Sequence, residues 1–296
     1  MSGNVVTSHF CQRESLRLQL SGNYRESGDR QNVRAWLDRL ISLAYAAIGA
    51  IGERLMYSRP GLQAIIAVSE ELKRDLVRHY GCDPKRIRVI PNGVDNGRFH
   101  PRLREEIGPK IRQAYGIRSD QSVASIVGGD WQRKGLRESI EAIGRLPRGQ
   151  FVLFVIGRGD IGKYASLARN LNVNQYIRFV GHQTRPEQFL AASDALVCPT
   201  AYETFLIAAL ESLSVGTPVL VTRAAPVHTL VRDGENGYLI ERDAADVADK
   251  LRFLAARSTR LATQMESNAR ASVDSRYTWD EVTRQTLETY RQVASA

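Results

Sequence analysis

Two glutamates, Glu203 and Glu211, stand eight residues apart at the start of an apolar helical segment. If a helix begins beside Glu203, this spacing turns the chain by about 80° beyond two whole turns and adds a rise of about 12 Å, so both carboxylates face roughly the same side. The backbone N–H groups of residues 204–207 would then be unpaired donors at a helix start, which suit a diphosphate. Alone, the pair has a plainer explanation: Glu203 complements the helix dipole and Glu211 faces solvent.

A second group with chemical potential lies in the segment VGGDWQRKGL, residues 127–136. Gly128 and Gly129 allow the backbone to approach a ligand closely, and Arg133 and Lys134 supply cations for phosphate oxygens. A basic turn exposed to solvent is the commoner explanation of such a run. The segment therefore gains weight only from what surrounds it.

Short β-branched or apolar runs alternate with helical patterns from about Leu62 onward. This alternation predicts parallel βαβ units with helices on both faces of a sheet, which is an α/β fold. Ligands of such sheets bind beyond the carboxyl ends of the strands. Both candidate groups follow predicted strands, so we expect them at that edge.

The first hundred residues look less complete than the rest. NVVTSHF predicts a strand that ends near His9, and only AIIAVS precedes the next strand, RIRVIPNG. Two or three strands make a poor sheet. Residues 91–110 combine proline, glycine and charge without a period, which predicts an interdomain linker. Residues 33–56 predict an amphipathic helix, and two alternatives stay open for it: packing against the first domain's sheet, or lying on a membrane surface.

The composition bounds the function. The 296 residues carry a formal charge of +9, with 18 basic and 12 acidic residues among the first 110. Such an excess fits a nucleic-acid binder, a protein beside anionic lipid, or an enzyme of phosphorylated substrates. The arginines are dispersed rather than clustered, which argues against nucleic acid. Three cysteines without a CxxC pair, and a start without a signal sequence, predict a cytoplasmic protein.

Residues 203–222 resemble the donor-site signature of the family 4 retaining glycosyltransferases of GT-B fold. The usual form is E-G-F-G-L-x-x-L-E followed by a G-x-P-V turn and a strand. This chain has ETFLIAALE over residues 203–211 and GTPV over residues 216–219. Further segments resemble the family in the same order along the chain: IIAVSEELKRDL, RVIPNGVDNGRFHP, VGGDWQRKGL, VIGRGD, FVGHQ, VRDGENGYLI and YTWDEVTRQTLETY.

The resemblance implies roles for residues of the signature segment. Glu203 would approach the transferred sugar, and Glu211 would bind the nucleotide ribose. Backbone amides of Thr204, Phe205, Leu206 and Ile207 would hold the diphosphate. Thr204 and Leu206 replace the family's customary glycines, which narrows the space beside the phosphates without removing their amide donors.

It also implies roles elsewhere in the chain. Gly128, Gly129, Arg133 and Lys134 would form the phosphate loop, Gly157 the glycine turn after the second strand, and His182 a position facing the base. His9 would reach the donor sugar from the first domain. Relatives often carry arginine where Gly129 stands, so Arg133 would compensate. The loop RAAPVHTLV, residues 223–231, lacks the family's usual glycine pair and glutamate, which puts acceptance of the typical donor sugar in doubt.

The resemblance implies a GT-B-like fold: a Rossmann-like, parallel-sheet donor domain over residues 101–275, an incomplete N-terminal α/β domain over residues 1–100, and a helix over 276–296 that crosses back. Roughly the first hundred family positions have no counterpart, so we expect an N-terminally truncated glycosyltransferase. It would move a sugar from a nucleoside-diphosphate donor to a glycan or lipid-linked hydroxyl, without metal or other cofactor, possessing weak or no activity in this form. A non-catalytic nucleotide-sugar-binding or partner-binding module is the alternative, and an epimerase of similar fold is a more distant one. Peripheral membrane association, at the inner face, stays open.

Overall fold

The structure is a computed structural model that describes residues 4–21, 33–273 and 275–295, with the side chains of residues 33–39 outside the description. It divides into two compact units. Unit 1 comprises residues 1–93 and 276–296, and unit 2 comprises residues 94–275.

Unit 1 is built on a parallel three-stranded sheet with the order β1-β2-β3. Its elements are β1 (Val5–Ser8), α1 (Gln12–Ser21), α2 (Val33–Tyr57), β2 (Ala64–Ala67), α3 (Glu70–Tyr80) and β3 (Ile87–Val89). Residues of β2 are buried throughout, as expected of the central strand. The last helix of the chain also belongs to this unit and is numbered below.

Helix α3 shows how the local sequence sets the boundaries of an element. The Ser69 side chain accepts a hydrogen bond from the N–H of Leu72 and thereby caps the first turn. Gly81 ends the helix in the left-handed conformation, which glycine adopts without steric cost.

A charge network joins α1 to α3. Glu14 Oε2 lies 2.8 Å from His79 Nε2, and Arg17 donates to the same carboxylate. Burial would raise the pKa of Glu14, but the hydrogen bonds from Arg17 and His79 outweigh it and hold that pKa below its ordinary value. Asp75 completes a group whose ligand-type atoms lie within 4.8 Å of one another. Because Arg17 already neutralises Glu14, the group is explained as an ion network between two helices.

Unit 2 carries a six-stranded parallel sheet covered by helices. Its strands are β4 (Ser122–Val127), β5 (Phe151–Ile156), β6 (Ile177–Gly181), β7 (Ala195–Cys198), β8 (Val219–Val221) and β9 (Gly237–Leu239). Its helices are α4 (Leu103–Glu106), α5 (Gly108–Ala114), α6 (Trp131–Lys134), α7 (Leu136–Arg145), α8 (Ile161–Asn170), α9 (Pro186–Ala191), α10 (Ile207–Val215), α11 (Ala244–Ala255) and α12 (Thr259–Ala271). In unit 1, α13 (Trp279–Ala294) follows, and the Thr278 side chain caps it by accepting from the N–H of Glu281.

The order of the strands in unit 2 is β6-β5-β4-β7-β8-β9, and every pair is parallel. The α/β architecture predicted from the alternating pattern is thereby confirmed. Strand β5 is buried along its whole length, which accounts for its continuous apolar run FVLFVI. The chain runs outward from β4 in one direction and from β7 in the other. The point between these two strands is the topological switch point, where open α/β sheets bind their ligands.

Candidate functional site

The segments that follow β4 and β7 meet at this switch point and place a lysine against a glutamate. Lys134 Nζ, at the end of α6, donates to Glu203 Oε1 over 2.8 Å. Glu203 lies in the segment between β7 and α10, and each of the two side chains is only 10% exposed. Sixty-nine residues separate the two residues in the chain, so the fold alone brings them together.

Arg133 contacts the same Glu203 carboxylate as Lys134. Its Nη1 atom lies 2.7 Å from Glu203 Oε1 and donates to the backbone oxygen of Tyr202 over 2.6 Å. Its Nε atom pairs with Asp130 Oδ2 at 2.8 Å. Two cations therefore converge on one buried carboxylate at the carboxyl edge of the sheet. Such a pair of charged donors can equally hold phosphate oxygens.

The backbone around Gly128 determines where Lys134 lies. Gly128 has a φ of +121°, and a Cβ atom built on it would come within 2.6 Å of Lys134 Cε. Asp130 then caps α6, because its side chain accepts from the N–H of Arg133. The lysine side chain passes over Gly128 to reach Glu203, so a Cβ at Gly128 would displace it, and the positive φ independently favours glycine here.

The predicted glycine turns after β4 and β5 pack directly against each other. Gly157 has a φ of +135°, and a Cβ there would meet the backbone oxygen of Gly128 at 2.2 Å. The indole of Trp131 donates to that same oxygen over 3.0 Å and leaves no room for a side chain at Gly159. Gly129 is exposed, and a Cβ there would lie in ordinary contact with the backbone oxygen of Arg158 at 3.6 Å. These contacts fix the backbone beside the two cations.

A largely buried arginine that follows the edge strand β9 contacts α6 and the next helix, α7. Arg242, which follows β9, pairs with Glu138 of α7 at 2.7 Å. It also donates to the backbone oxygen of Gln132 over 2.6 Å. Both charged side chains are largely buried. Arg242 therefore connects α6, which carries Arg133 and Lys134, to α7 and to the segment after β9.

The start of α10 differs from the sequence-based prediction. The helix begins at Ile207 rather than beside Glu203, so the two glutamates do not share one helix. Leu206 precedes it with a φ of +73°, a left-handed conformation that a leucine adopts only under strain. The spacing of apolar residues after Glu203 could not reveal this left-handed residue, because residue spacing carries no information about the sign of a single φ angle. Of the four predicted diphosphate amides, only that of Ile207 belongs to the helix.

Glu211 lies one turn into α10 in a partly buried setting. Burial raises the pKa of its carboxyl to about 7; Arg98 lowers that pKa and Glu187 raises it further. Arg98 itself pairs with Glu187 at 2.7 Å. Near neutral pH the Glu211 carboxyl is therefore divided between a protonated form, which can donate, and an ionised form, which only accepts hydrogen bonds.

The two histidines named by the sequence lie apart from this cluster in the chain. His182 is exposed directly after β6, at the carboxyl edge of the unit 2 sheet. His9 is exposed directly after β1, at the carboxyl end of that strand in unit 1. Their functional roles stay predictions.

Comparison with known sequences identifies the family. The family model described as Glycosyl transferases group 1 matches residues 108–272, more than half of the chain. The chain belongs to this glycosyl transferase family. A second model, Glycosyltransferase Family 4, matches residues 5–98 of this group 1 chain. The family membership predicted from the signature segment is thereby confirmed.

Curated relatives of this group 1 chain are longer than it is. The lipopolysaccharide glucosyltransferase WaaG of Escherichia coli is 29% identical over 191 residues, which cover 64% of this chain and 51% of that protein. A D-inositol 3-phosphate glycosyltransferase of Catenulispora acidiphila is 32% identical over 243 residues, 76% of this chain and 55% of the relative. The chain spans about half the length of the curated relatives it matches.

Solved structures of similar fold agree with the GT-B prediction. WaaG has a TM-score of 0.76 at 24% identity, covering 95% of this chain and 73% of its own. Anabaena HepE, solved with UDP and glucose, has a TM-score of 0.76 at 20% identity and covers 97% of this chain and 71% of its own. The group 1 chain therefore has the GT-B fold, with two Rossmann-like sheets.

Several residues of the candidate site in this glycosyl transferase were not predicted from the sequence. Asp130, Trp131 and Tyr202 are adjacent to predicted site residues, and an acidic or aromatic residue beside a phosphate loop is the signal that could have found the first two. Arg242 and Glu138 carry no local signal, since their pairing joins positions more than a hundred residues apart.

Proposed function

We propose that this chain binds a nucleoside-diphosphate sugar and transfers the sugar to a hydroxyl group with retention at the anomeric carbon. The observation that carries the proposal is the convergence of Lys134 and Arg133 on Glu203 at the switch point. The cations suit the diphosphate, and the carboxylate suits hydroxyl groups of a sugar. The names of the relatives, which are glycosyltransferases, support the same activity.

Donor binding exchanges the partners of this cluster. The diphosphate takes the place of Glu203 on Lys134 and Arg133, and the released carboxylate accepts hydrogen bonds from the sugar. Backbone amides of Thr204, Phe205, Leu206 and Ile207 complete the phosphate contacts, together with Gly128 and Gly129. Cations held in place before the reaction stabilise the leaving group at little cost in reorganisation.

The transfer step balances without a further reactant. The bond between the anomeric carbon and the phosphate oxygen breaks as the acceptor oxygen bonds to the same face of that carbon. The acceptor proton passes to an oxygen of the departing diphosphate. His9 supports the sugar, and Glu211 and His182 hold the ribose and the base. Because Arg133 and Lys134 supply positive charge at the leaving group, no metal or other cofactor is required.

The acceptor that we propose is a glycan or lipid-linked hydroxyl, and the protein is proposed to work in the cytoplasm at the inner face of a membrane. The three cysteines, Cys11, Cys82 and Cys198, are free and buried, which suits a reducing compartment. No role with nucleic acid is proposed.

Turnover by the 296-residue chain is expected to be slow. The match covers 73% of the WaaG structure, so about a quarter of that structure has no counterpart among these residues. We expect a rate far below about 10 per second, which is typical of enzymes. A module that binds nucleotide sugar without transferring it is the second candidate.

Incubation with UDP-glucose, and separately with GDP- and ADP-sugars, tests the proposal. Nuclear magnetic resonance would follow both hydrolysis and transfer to added glycans, and the coupling constant of the new glycoside gives its anomeric configuration. A product with the donor's configuration supports retaining transfer, whereas an inverted product contradicts it. Saturable donor binding without any product would support the binding module instead.

A further inference from the structure

Helix α2 presents an apolar stripe on the surface of unit 1. Six large side chains on one side of the helix are between 43% and 74% exposed: Leu40, Ile41, Tyr45, Ile48, Ile51 and Leu55. From Ile41 to Leu55 they recur at intervals of three or four residues, and Leu40 stands directly before the first, so all six lie along one face of a single helix. Isolated exposed leucines or isoleucines need no explanation, but a continuous row of them indicates an interaction surface.

The opposite face of α2 is held by the rest of unit 1. Ala46 and Ala50 are buried, and Gly49 lies so close to Gln12 of α1 that a Cβ would come within 2.8 Å of its side chain. Near the end of the helix, Glu53 accepts from the backbone N–H of Gln12 over 2.9 Å and from the Tyr80 hydroxyl.

These contacts decide how the helix could meet a bilayer. By length and composition, residues 40–57 could also cross a membrane. Crossing would break the contacts of Glu53 and expose its carboxyl to hydrocarbon, which is costly. A helix that keeps one face on its own domain and turns the other outward can lie only parallel to a surface.

The charges around the apolar stripe are complementary to an anionic surface. Arg54 and Arg59 are exposed beside its carboxyl-terminal end. Glu53, the acidic residue nearest to them, is directed inward by its two hydrogen bonds. In sequence, Arg34, Asp38 and Arg39 precede the other end of the stripe, a net charge of +1, and residues 40–52 carry no charge. Unit 1 has 17 basic and 12 acidic residues.

We propose that the apolar stripe of α2 docks unit 1 onto a lipid bilayer that bears anionic headgroups. The six apolar side chains enter the boundary between headgroups and acyl chains, and Arg54 and Arg59 contact the phosphates. A protein partner would satisfy the apolar face as well, but the arginines that flank an uncharged stripe favour lipid. The proposal does not depend on sugar transfer, because the stripe lies outside the donor site of unit 2.

Flotation with vesicles tests this surface directly. The full chain is mixed with vesicles of phosphatidylcholine containing about 30% phosphatidylglycerol, a density of anionic lipid high enough to create a negative surface potential. A parallel sample uses phosphatidylcholine alone. The test variant is the double substitution Ile48→Asp with Ile51→Asp. The matched control is Phe253→Asp with Leu261→Asp, since both of these side chains are similarly exposed but belong to unit 2.

We expect the wild-type chain and the control to float with the anionic vesicles, and the Ile48/Ile51 variant to bind at least tenfold more weakly. Arg54→Gln with Arg59→Gln should reduce binding to anionic vesicles and leave any binding to neutral ones unchanged. All substituted side chains are exposed, so unchanged melting temperatures are expected and would be verified.

Three outcomes overturn the proposal: a wild-type chain that stays with the unbound fraction, an Ile48/Ile51 variant that floats like the wild type, or equal loss in the unit 2 control. Light scattering identifies the alternative occupant. If the wild-type chain is a dimer that the Ile48/Ile51 variant dissociates, while neither floats, the stripe is an interface between two copies.

Discussion

Lys134 Nζ and Glu203 Oε1 form a buried ion pair of 2.8 Å between two segments that leave adjacent strands of one parallel sheet. Arg133 contacts the same carboxylate oxygen, so in the free protein both cationic side chains are paired with Glu203. In the proposed function, a donor diphosphate would replace that acid. Donor binding and the release of Glu203 are therefore coupled in this account.

Glu203→Gln separates these two effects. A neutral amide competes more weakly for Lys134 and Arg133, so UDP should bind about threefold to tenfold more tightly, equivalent to about 1 kcal/mol. Sugar transfer should fall, because the carboxylate that would orient the sugar is lost. Calorimetric titration with UDP and a transfer assay measure the two quantities. Weaker UDP binding together with unchanged transfer would contradict the coupling.

Gly128→Ala should displace Lys134. The new Cβ would overlap the lysine side chain, so the affinity for UDP should drop more than tenfold. Gly116→Ala is the matched control: Gly116 also has a positive φ, of +65°, but nothing lies within 4 Å of a Cβ there. Both variants should lose about 1–3 kcal/mol of folding stability from backbone strain. If the two variants bound UDP equally well, the steric role of Gly128 would be wrong.

Arg242→Gln should weaken donor binding without contact with the donor. The substitution breaks the pair with Glu138 and the hydrogen bond to Gln132, so α6 loses its support. We expect KM for the donor to rise about tenfold, or about 1.4 kcal/mol, with a smaller change in kcat. Arg252→Gln removes an exposed pair with Asp249 and serves as the control. If the variant yields less folded protein but its KM for the donor is unchanged, Arg242 stabilises the fold and does not support donor binding.

Glu211 gives the stability of unit 2 a pH dependence of known sign. Its folded-state pKa of about 7 lies above the ordinary glutamate pKa of 4.5, so folding favours the protonated carboxyl. This contribution is fully present below about pH 4.5 and is lost as the pH rises through about 7. Glu211→Gln, which mimics the protonated form, should therefore stabilise the protein at pH 8 by about 1–3 kcal/mol relative to wild type.

The control for this prediction is the same comparison at pH 4.5, where the two proteins should differ little. Chemical denaturation at both pH values measures the free energies of unfolding. A constant difference between the variants at the two pH values would show that burial does not shift the Glu211 pKa as described.

Much of this molecule follows from local sequence. The strands β4 to β8 and the helix α2 agree with the periodicities that predicted them. Each depends on neighbours in the chain, which local patterns describe. The start of α10 does not follow, because the left-handed Leu206 interrupts a pattern that otherwise continues smoothly back to Glu203.

The candidate site was predictable as a set of residues but not as an arrangement. Glycines and cations after β4 mark a phosphate loop, and the resemblance assigned Glu203 and Glu211. That two cations share one carboxylate, and that Arg242 supports them from behind, depends on contacts between distant segments. The raised pKa of Glu211 likewise depends on burial by the completed fold.

Titration calorimetry with nucleoside diphosphates tests whether the cluster around Lys134 and Glu203 is a donor site. Uridine, guanosine and adenosine diphosphates are titrated in turn into the wild-type chain, Lys134→Ala and Lys110→Ala, an exposed lysine of unit 2 that serves as the control. At least one of them should bind the wild type and Lys110→Ala with equal affinity and should fail to bind Lys134→Ala. If none of the three binds the wild type, or if Lys134→Ala binds as well as wild type, the cluster around Lys134 and Glu203 is not a donor site.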